Sequence, residues 1–188
     1  MQPHKRRYNY TYMASGTLIS IEEFASLPNE PGKQELSNGE VIVVPPVKLI
    51  HSKIARRLFR TLDAWVVNAG AGEVWFEAGF QLGPHTVRQP NVAVLLGGRS
   101  APDEAWVQGA PDIAIEVLSP GNSAEDIELK ISQYLAAGAK LVWIVSPKAR
   151  QVRVCRADGT QVTLREPQSL TGEPALPGFL LPLVELFA

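Results

Sequence analysis

The stretch PDIAIEVLSPG, residues 111–121, is a run of strand-forming residues that ends at a turn signal and carries an acid, Glu116, directly between the apolar residues Ile115 and Val117. A helical pattern follows, with Ser123 as its N-cap and Gly138 at its end. Residues 141–145 then form a second apolar strand. This order of strand, helix and strand predicts a parallel crossover unit.

The residues before this unit predict strands joined by short turns and one long helix. Residues 35–41 have the pattern of a strand, an Asn-Gly turn and a second strand, which is typical of a hairpin. Residues 92–96 form an almost wholly apolar strand. A helix is predicted over residues 51–68, with apolar residues every four positions at Ile50, Ile54, Leu58, Leu62 and Val66. The predicted fold class is therefore α/β, with a mixed sheet and a helix on each face.

Length and composition favour one globular domain of 188 residues with a net charge of -1. We expect that domain over residues 20–188, after a flexible, polar N-terminal extension over residues 1–19 that lacks the apolar core of a signal peptide. Since the chain has no overall basic field, a surface for nucleic acid must be local. The single cysteine, Cys155, cannot form an internal disulfide. No apolar run is long enough for a bilayer, so we expect a cytoplasmic protein without membrane contact.

Glu116 is the strongest candidate for a functional residue, because an unpaired carboxylate in an apolar strand is costly and needs a cation. Asn91 begins the strand over residues 92–96, and the two side chains converge if the two strands pair. Lys130 lies on the helix that follows Glu116. Magnesium prefers oxygen ligands, and such an ion assists phosphodiester cleavage. The pattern indicates a metal-dependent phosphodiesterase site with one ligand altered.

Simpler explanations stay open for several of these residues. Lys130 lies four positions after Asp126, a spacing that is typical of an ordinary helical ion pair. Glu35 has the position of an exposed carboxylate beside a turn, and His51 that of a polar residue at a helix start. For Arg88 we expect a place on the surface.

Several segments together resemble the Uma-two (Uma2) family of restriction endonucleases, which belongs to the PD-(D/E)xK nuclease superfamily. The resemblance runs from about Ser20 to the end of the chain. It is carried by residues 88–94 (RQPNVAV), residues 109–120 (GAPDIAIEVLSP), Lys130, Tyr134 and Gly138, with Glu35, Leu36, Asn38, Gly39 and His51 before them and Leu176–Phe179, Leu186 and Phe187 after them.

The resemblance implies a restriction-endonuclease-like fold, a mixed β-sheet flanked by helices, and a divalent metal, with magnesium as the usual ion and manganese as the alternative. Asn91 takes the place of the family's aspartate, and Glu116 that of its next acid. Leu118 stands where the superfamily's usual lysine would be, and Lys130 takes over that role. Glu35 matches an N-terminal acid. The implied catalytic set is thus Glu116, Lys130 and Asn91, and the implied metal ligands are Asn91, Glu116 and Glu35.

Two functions are compatible with these residues. The first is a magnesium-dependent endodeoxyribonuclease, a hydrolase with DNA as its partner. Such nucleases often pair to cut both strands, so a homodimer is one option, and the oligomeric state stays open. The activity of this enzyme would be reduced because Asn91 brings no negative charge to the metal. The alternative is a catalytically inactive module that keeps the nuclease fold and binds nucleic acid or protein.

Overall fold

The computed structural model describes residues 11–12, 18–28, 32–99 and 105–188 of the chain. Of the expected N-terminal extension, residues 1–10 and 13–17 lie outside the described residues. Among the residues that are described, no helix combines the length and the apolarity that crossing a bilayer would require.

The two long helices begin and end close to where the sequence predicts. Within the described ranges the helices are α1 (Ile21–Ala25), α2 (Leu49–Ala69), α3 (Ala124–Ala136) and α4 (Leu183–Leu186). Ser20 and Ser123 are the N-caps of α1 and α3, and each side chain accepts a hydrogen bond from the backbone three residues on. Helix α2 ends at Gly70, whose φ of 57° is the left-handed conformation that glycine adopts without strain.

The strands divide into three sheets within the described part of the chain. In chain order they are β1 (Thr11–Tyr12), β2 (Lys33–Ser37), β3 (Glu40–Val44), β4 (Gly72–Phe76), β5 (Phe80–Gly83), β6 (Thr86–Arg88), β7 (Val92–Leu96), β8 (Val107–Gln108), β9 (Ile113–Val117), β10 (Leu141–Ser146), β11 (Gln151–Arg156), β12 (Gln161–Arg165), β13 (Ser169–Gly172) and β14 (Leu176–Pro182).

The central sheet has the order β12-β11-β10-β9-β7-β4. Strands β9 and β10 are parallel, with helix α3 between them in the chain, and the other pairs are antiparallel. This confirms the crossover unit that the sequence predicts. In the antiparallel register of β7 and β9, Val92 lies opposite Ile115 and Ala93 opposite Ala114, so the start of β7 lies beside the end of β9.

Helices α2 and α3 cover opposite faces of the central sheet. Alternate residues of a strand point to opposite faces. Ile113 and Ile115 pack in the core that contains α2, whereas Ala114 packs with Ile131 and Tyr134 of α3. The predicted helix on each face is thereby confirmed, and Glu116 shares the α3 face with Ala114.

The apolar stripe of α2 is buried from Ile54 to Val66, but Ile50 is exposed. A spacing of four residues on a helix of 3.6 residues per turn rotates by about 40° per step. Five positions at this spacing therefore cannot all face the core, and Ile50, the first of them, is the one that is exposed.

A second sheet, in the order β1-β3-β2-β6-β5-β8, holds the strands that precede the crossover unit, apart from β4 and β7. The sequence predicts its hairpin: Asn38 and Gly39 join β2 to β3 with φ angles of 51° and 86°, as an Asn-Gly turn requires. The division into separate sheets does not follow from the sequence pattern, because it depends on the long-range pairing of β2 with β6, in which Leu36 lies opposite Val87.

The C-terminal residues form the hairpin of β13 and β14 and then the short helix α4. Their apolar side chains join the core under α2, namely Leu170, Leu176, Phe179, Leu181, Leu183, Leu186 and Phe187. The apolar C-terminal segment therefore packs on the body of the protein.

Candidate active site

Glu116 and Asn91 lie side by side where the end of β9 meets the start of β7, two neighbouring strands inside the central sheet. Continuing the β7–β9 register by one residue places Asn91 opposite Glu116, and both residues are buried. The amide oxygen Oδ1 of Asn91 accepts a hydrogen bond of 2.8 Å from the backbone N–H of Val117. The oxygen that a metal would use therefore holds the end of β9 in place.

Lys130 of α3 lies between two carboxylates that come from different sheets. Its Nζ is 3.0 Å from Oε1 of Glu116 and 3.0 Å from Oε2 of Glu35. Glu35, Glu116 and Lys130 together form the Lys130 cluster. The simpler explanation, a helical ion pair with Asp126, does not account for these contacts: the ammonium is directed at the two sheets, and the side chain of Lys130 is only 14% exposed.

Glu35 is fully buried in β2 and is not the exposed turn-side carboxylate of the simpler explanation. It accepts hydrogen bonds from Nη1 of Arg88 at 2.9 Å and from the backbone N–H of Gln89 at 3.2 Å, and Nζ of Lys33 lies 3.2 Å away. Burial alone would raise the pKa of this carboxyl, but the charges of Lys130, Lys33 and Arg88 hold the pKa well below its ordinary value.

Arg88 was expected on the surface, and the structure shows that this expectation is wrong. The residue is almost fully buried in β6, and its guanidinium donates to Glu35, to Oγ of Ser37 at 2.7 Å and to Oε1 of Gln133 at 2.8 Å. A buried arginine needs such partners. The sequence indicates the burial of Arg88 only indirectly, because a buried Glu35 requires a cation beside it.

Tyr134 is a further site residue whose role the sequence did not show. Its hydroxyl donates a hydrogen bond of 3.0 Å to Oε1 of Glu116, the same oxygen that Lys130 contacts. Burial and then the charge of Glu116 raise the pKa of Tyr134 well above its ordinary value, so the hydroxyl remains a donor. Lys130 and Tyr134 are four residues apart on one helix face, and this spacing could have identified the pair.

The same charges keep Lys130 protonated. Burial would lower the pKa of its ammonium, but Glu116 and Glu35 together raise the pKa above its ordinary value. The lysine is therefore a permanent cation at neutral pH.

His51 lies in the first turn of α2 and is buried beside this site. Within the described residues its Nδ1 has no hydrogen-bond partner. Burial is the main cause that lowers the pKa of the imidazole, while the charge of Glu116 acts in the opposite direction. His51 is thus a neutral ring close to the edge of the sheet, in keeping with its predicted position at a helix start.

A pocket of ≈ 30 Å³ opens above the Lys130 cluster. Its lining includes Glu35, Arg88, Glu116, Leu118, Asn122, Asp126 and Lys130. A water molecule needs roughly 10–15 Å³ of such volume, so the pocket has room for an ion or a few waters. Leu118, in the place of the superfamily's usual lysine, contributes only apolar surface, and a nucleotide would have to approach from outside.

The donor atoms of this site are of the kind that magnesium prefers, because two carboxylates and an amide oxygen lie together. Their charge is less favourable. Lys33, Arg88 and Lys130 face Glu35 and Glu116, which leaves one positive charge in excess among these described residues. Nor do the described residues contain a group of three or more His, Cys, Asp or Glu side chains that could hold a metal ion. Aspartate in place of Asn91 would correct both deficits.

Comparisons with known proteins identify the family and the fold of the chain. The model of the Uma2 family, described as "Putative restriction endonuclease", matches residues 21–184. A crystal structure described as a "putative nuclease belonging to DUF820" from Anabaena variabilis ATCC 29413 superposes with a TM-score of 0.80 at 24% sequence identity, over 90% of this chain and 97% of that one, and shows a shared fold. No curated protein matches the chain. The chain belongs to the Uma2 family and has the nuclease-like α/β fold that the sequence predicts.

Proposed function

We propose that this protein is a metal-dependent DNA endonuclease whose cleavage is slowed by Asn91. One observation carries the proposal: the ammonium of Lys130 contacts two buried carboxylates, Glu35 and Glu116, beside Asn91 at the start of β7. A buried lysine between two acids, in a chain of a family described as restriction endonucleases, supports phosphodiester hydrolysis more directly than it supports a purely structural role.

Glu116 and Glu35, with the amide oxygen of Asn91, are the residues that would hold the metal. When bound, magnesium or manganese would polarise the phosphate and make the attacking water more acidic. The protein's own part is positioning and charge. The ammonium of Lys130 stabilises negative charge that develops on the phosphate, and Tyr134 and Arg88 fix the orientation of Glu116 and Glu35 through their hydrogen bonds.

Position 91 sets the rate in this proposal. Asparagine offers an oxygen but no charge, and a site with few ligands loses affinity for a divalent ion when a charge is lost. In addition, Oδ1 of Asn91 already accepts the N–H of Val117. We expect weak metal binding and slow cleavage in the unaltered protein.

The exposed basic face of α2 is the surface proposed to contact DNA. Lys53, Arg56 and Arg60 are exposed and lie on adjacent turns of the helix. Each lysine or arginine that neutralises a phosphate adds about one unit to the salt dependence of binding. Replacing Arg56 and Arg60 with glutamine should therefore weaken binding to DNA of any sequence and flatten its salt dependence.

The test is cleavage of supercoiled plasmid and of single-stranded DNA with magnesium or manganese. Asn91→Asp should raise the cleavage rate about tenfold or more, since restoring one good charge interaction is worth roughly 1.4 kcal/mol or more. Glu116→Gln should abolish cleavage in both backgrounds. Asp112→Asn is the matched control, because it alters an acid of the same strand away from the site. Cleavage that persists at the same rate in Glu116→Gln would rule out this assignment.

A second function is favoured by a specific observation: the amide of Asn91 is engaged with the backbone, and Glu35 and Glu116 are already paired with three cations, Lys33, Arg88 and Lys130. These features suit a module that binds nucleic acid without cutting it. This candidate predicts salt-sensitive DNA binding with no turnover in any metal. Metal-dependent nicking that is lost in Glu116→Gln would exclude it.

A further inference from the structure

We infer that Lys130 is a built-in counter-ion that competes with a divalent cation for Glu35 and Glu116, so that metal occupancy is limited by the protein's own ammonium group. The inference rests on the proposed metal site. It concerns what fills that site before any DNA is present, and it can fail or hold independently of cleavage.

The ammonium of Lys130 lies between the two carboxylates that would hold the metal. Nζ of Lys130 is within 3.2 Å of both oxygens of Glu35 and 3.0 Å from Oε1 of Glu116. Glu35 is fully buried, and its other contacts come from Arg88, Lys33 and the N–H of Gln89. A metal ion held by both carboxylates would therefore compete with Lys130 for their oxygens.

Charge disfavours the metal in this competition. A divalent ion that enters while Lys130 stays adds two positive charges where three cations, Lys33, Arg88 and Lys130, already face the two acids. If Lys130 is removed, Lys33 and Arg88 balance the two acids, but Glu116 then retains Tyr134 as its partner and loses its cation. A buried carboxylate without a cation destabilises the fold, and a divalent ion that binds there would restore the stability.

The chain supplies a closely matched control for this argument. Lys33 and Lys130 both contact Glu35, at 3.2 Å and 3.0 Å, and both side chains are 14% exposed. Only Lys130 also contacts Glu116. Replacing either lysine with glutamine removes one positive charge near Glu35, but only Lys130→Gln vacates the position between the two carboxylates.

The experiment measures binding of manganese by titration calorimetry, and the shift in melting temperature with magnesium or manganese, for the unaltered full chain, Lys130→Gln and Lys33→Gln without DNA. Lys130→Gln should bind manganese about tenfold more tightly than the unaltered protein, a change of about 1.4 kcal/mol. The melting temperature of Lys130→Gln should also rise when metal is added. Lys33→Gln should show a clearly smaller increase in both manganese affinity and melting temperature. Equal gains in both variants, or no gain in Lys130→Gln, would overturn the inference.

A measurement on the unaltered protein covers the case in which Lys130→Gln does not fold. Lysine side-chain NMR can follow Nζ of Lys130 during titration with magnesium. A resonance that moves toward the position of a solvated lysine as magnesium binds supports competition. A resonance that stays unchanged throughout the titration overturns it.

Discussion

The two ends of strand β9 each carry a buried acid, and the two acids are neutralised in different ways. At the start of the strand, Asp112 accepts the backbone N–H of Leu96 at 2.8 Å and pairs with Lys140 at 2.9 Å and Arg99 at 3.7 Å. The side chains of these two cations are 57% and 41% exposed. At the end of the strand, Glu116 relies on Lys130, which is mostly buried and shared with Glu35.

The difference separates a structural acid from a candidate catalytic one. Asp112 fixes the end of β7 and is balanced by cations that water also solvates. Such exposed ion pairs contribute little to stability. Glu116 belongs to a cluster in which one cation serves two acids from two sheets, beside a pocket that can hold an ion. Perturbed charges of this kind concentrate at functional sites. Substitutions in the Lys130 cluster should therefore have larger effects than a substitution at Asp112.

Glu35→Gln should be the most destabilising of these substitutions. It leaves the buried Arg88 without its carboxylate, and breaking a buried pair by removing one partner costs about 3–5 kcal/mol. Urea denaturation followed by circular dichroism measures the loss. A loss below about 1 kcal/mol, the range of exposed ion pairs, would show that the Lys130 cluster is no more important for stability than a surface pair.

Acid should destabilise the protein through Glu35. The pKa of this carboxyl is depressed in the folded state from an ordinary value of 4.5, because Lys130, Lys33 and Arg88 outweigh the effect of burial. A depressed folded pKa contributes stability that is present above the unfolded value and is lost as the pH falls below it. The unfolding free energy of the unaltered protein should therefore fall below about pH 4.5, and less steeply in Glu35→Gln.

The matching measurement is a series of urea denaturations across the acid range. The two proteins are compared by the slope of unfolding free energy against pH, so the lower overall stability of Glu35→Gln does not affect the comparison. Identical slopes for the two proteins would contradict the attribution to Glu35.

Tyr134→Phe should have an intermediate effect. It removes one hydrogen bond to the carboxylate of Glu116 while the ring keeps its place in the core between α3 and the sheet. Hydrogen bonds to charged groups contribute about 1.5–3 kcal/mol. Thermal unfolding gives the stability change, and cleavage assays should show a reduced rate rather than a complete loss. Unchanged stability would mean that Lys130 alone orients Glu116.

Asp112→Asn should have the smallest effect. The amide oxygen of asparagine can still accept the N–H of Leu96, so only the ion pairs with Lys140 and Arg99 are lost, and exposed pairs contribute about 0.2–1 kcal/mol each. Denaturation in low and high salt tests this, since the difference from the unaltered protein should shrink as salt screens the pairs. A loss as large as that of Glu35→Gln would remove the contrast between the two ends of β9.

Local patterns were enough to predict the part of the site that lies in the crossover unit. Ser123, Gly138 and the apolar strands on either side fix α3 between β9 and β10, and this brings Lys130 over Glu116. The Asn-Gly turn likewise predicts the hairpin that carries Glu35. These features depend on contacts between residues that are close in sequence or on the alternation of side chains along a strand.

The contacts between the two sheets could not be predicted in this way. Glu35 meets Lys130 because β2 pairs with β6, and Arg88 is buried for the same reason. Such pairing is specified by the packing of the whole protein rather than by a local pattern. For this reason the sequence identified Glu35 as a candidate ligand only through the family resemblance, and it misplaced Arg88.

The most direct test of the central claim is the anomalous density of manganese in crystals of Asn91→Asp and of the unaltered protein, soaked under the same conditions. The account predicts a peak beside the carboxylates of Glu116 and Glu35 in Asn91→Asp, with Nζ of Lys130 moved away, and a weaker peak at the same place in the unaltered protein. A manganese ion bound elsewhere in Asn91→Asp, or none at all, would contradict it.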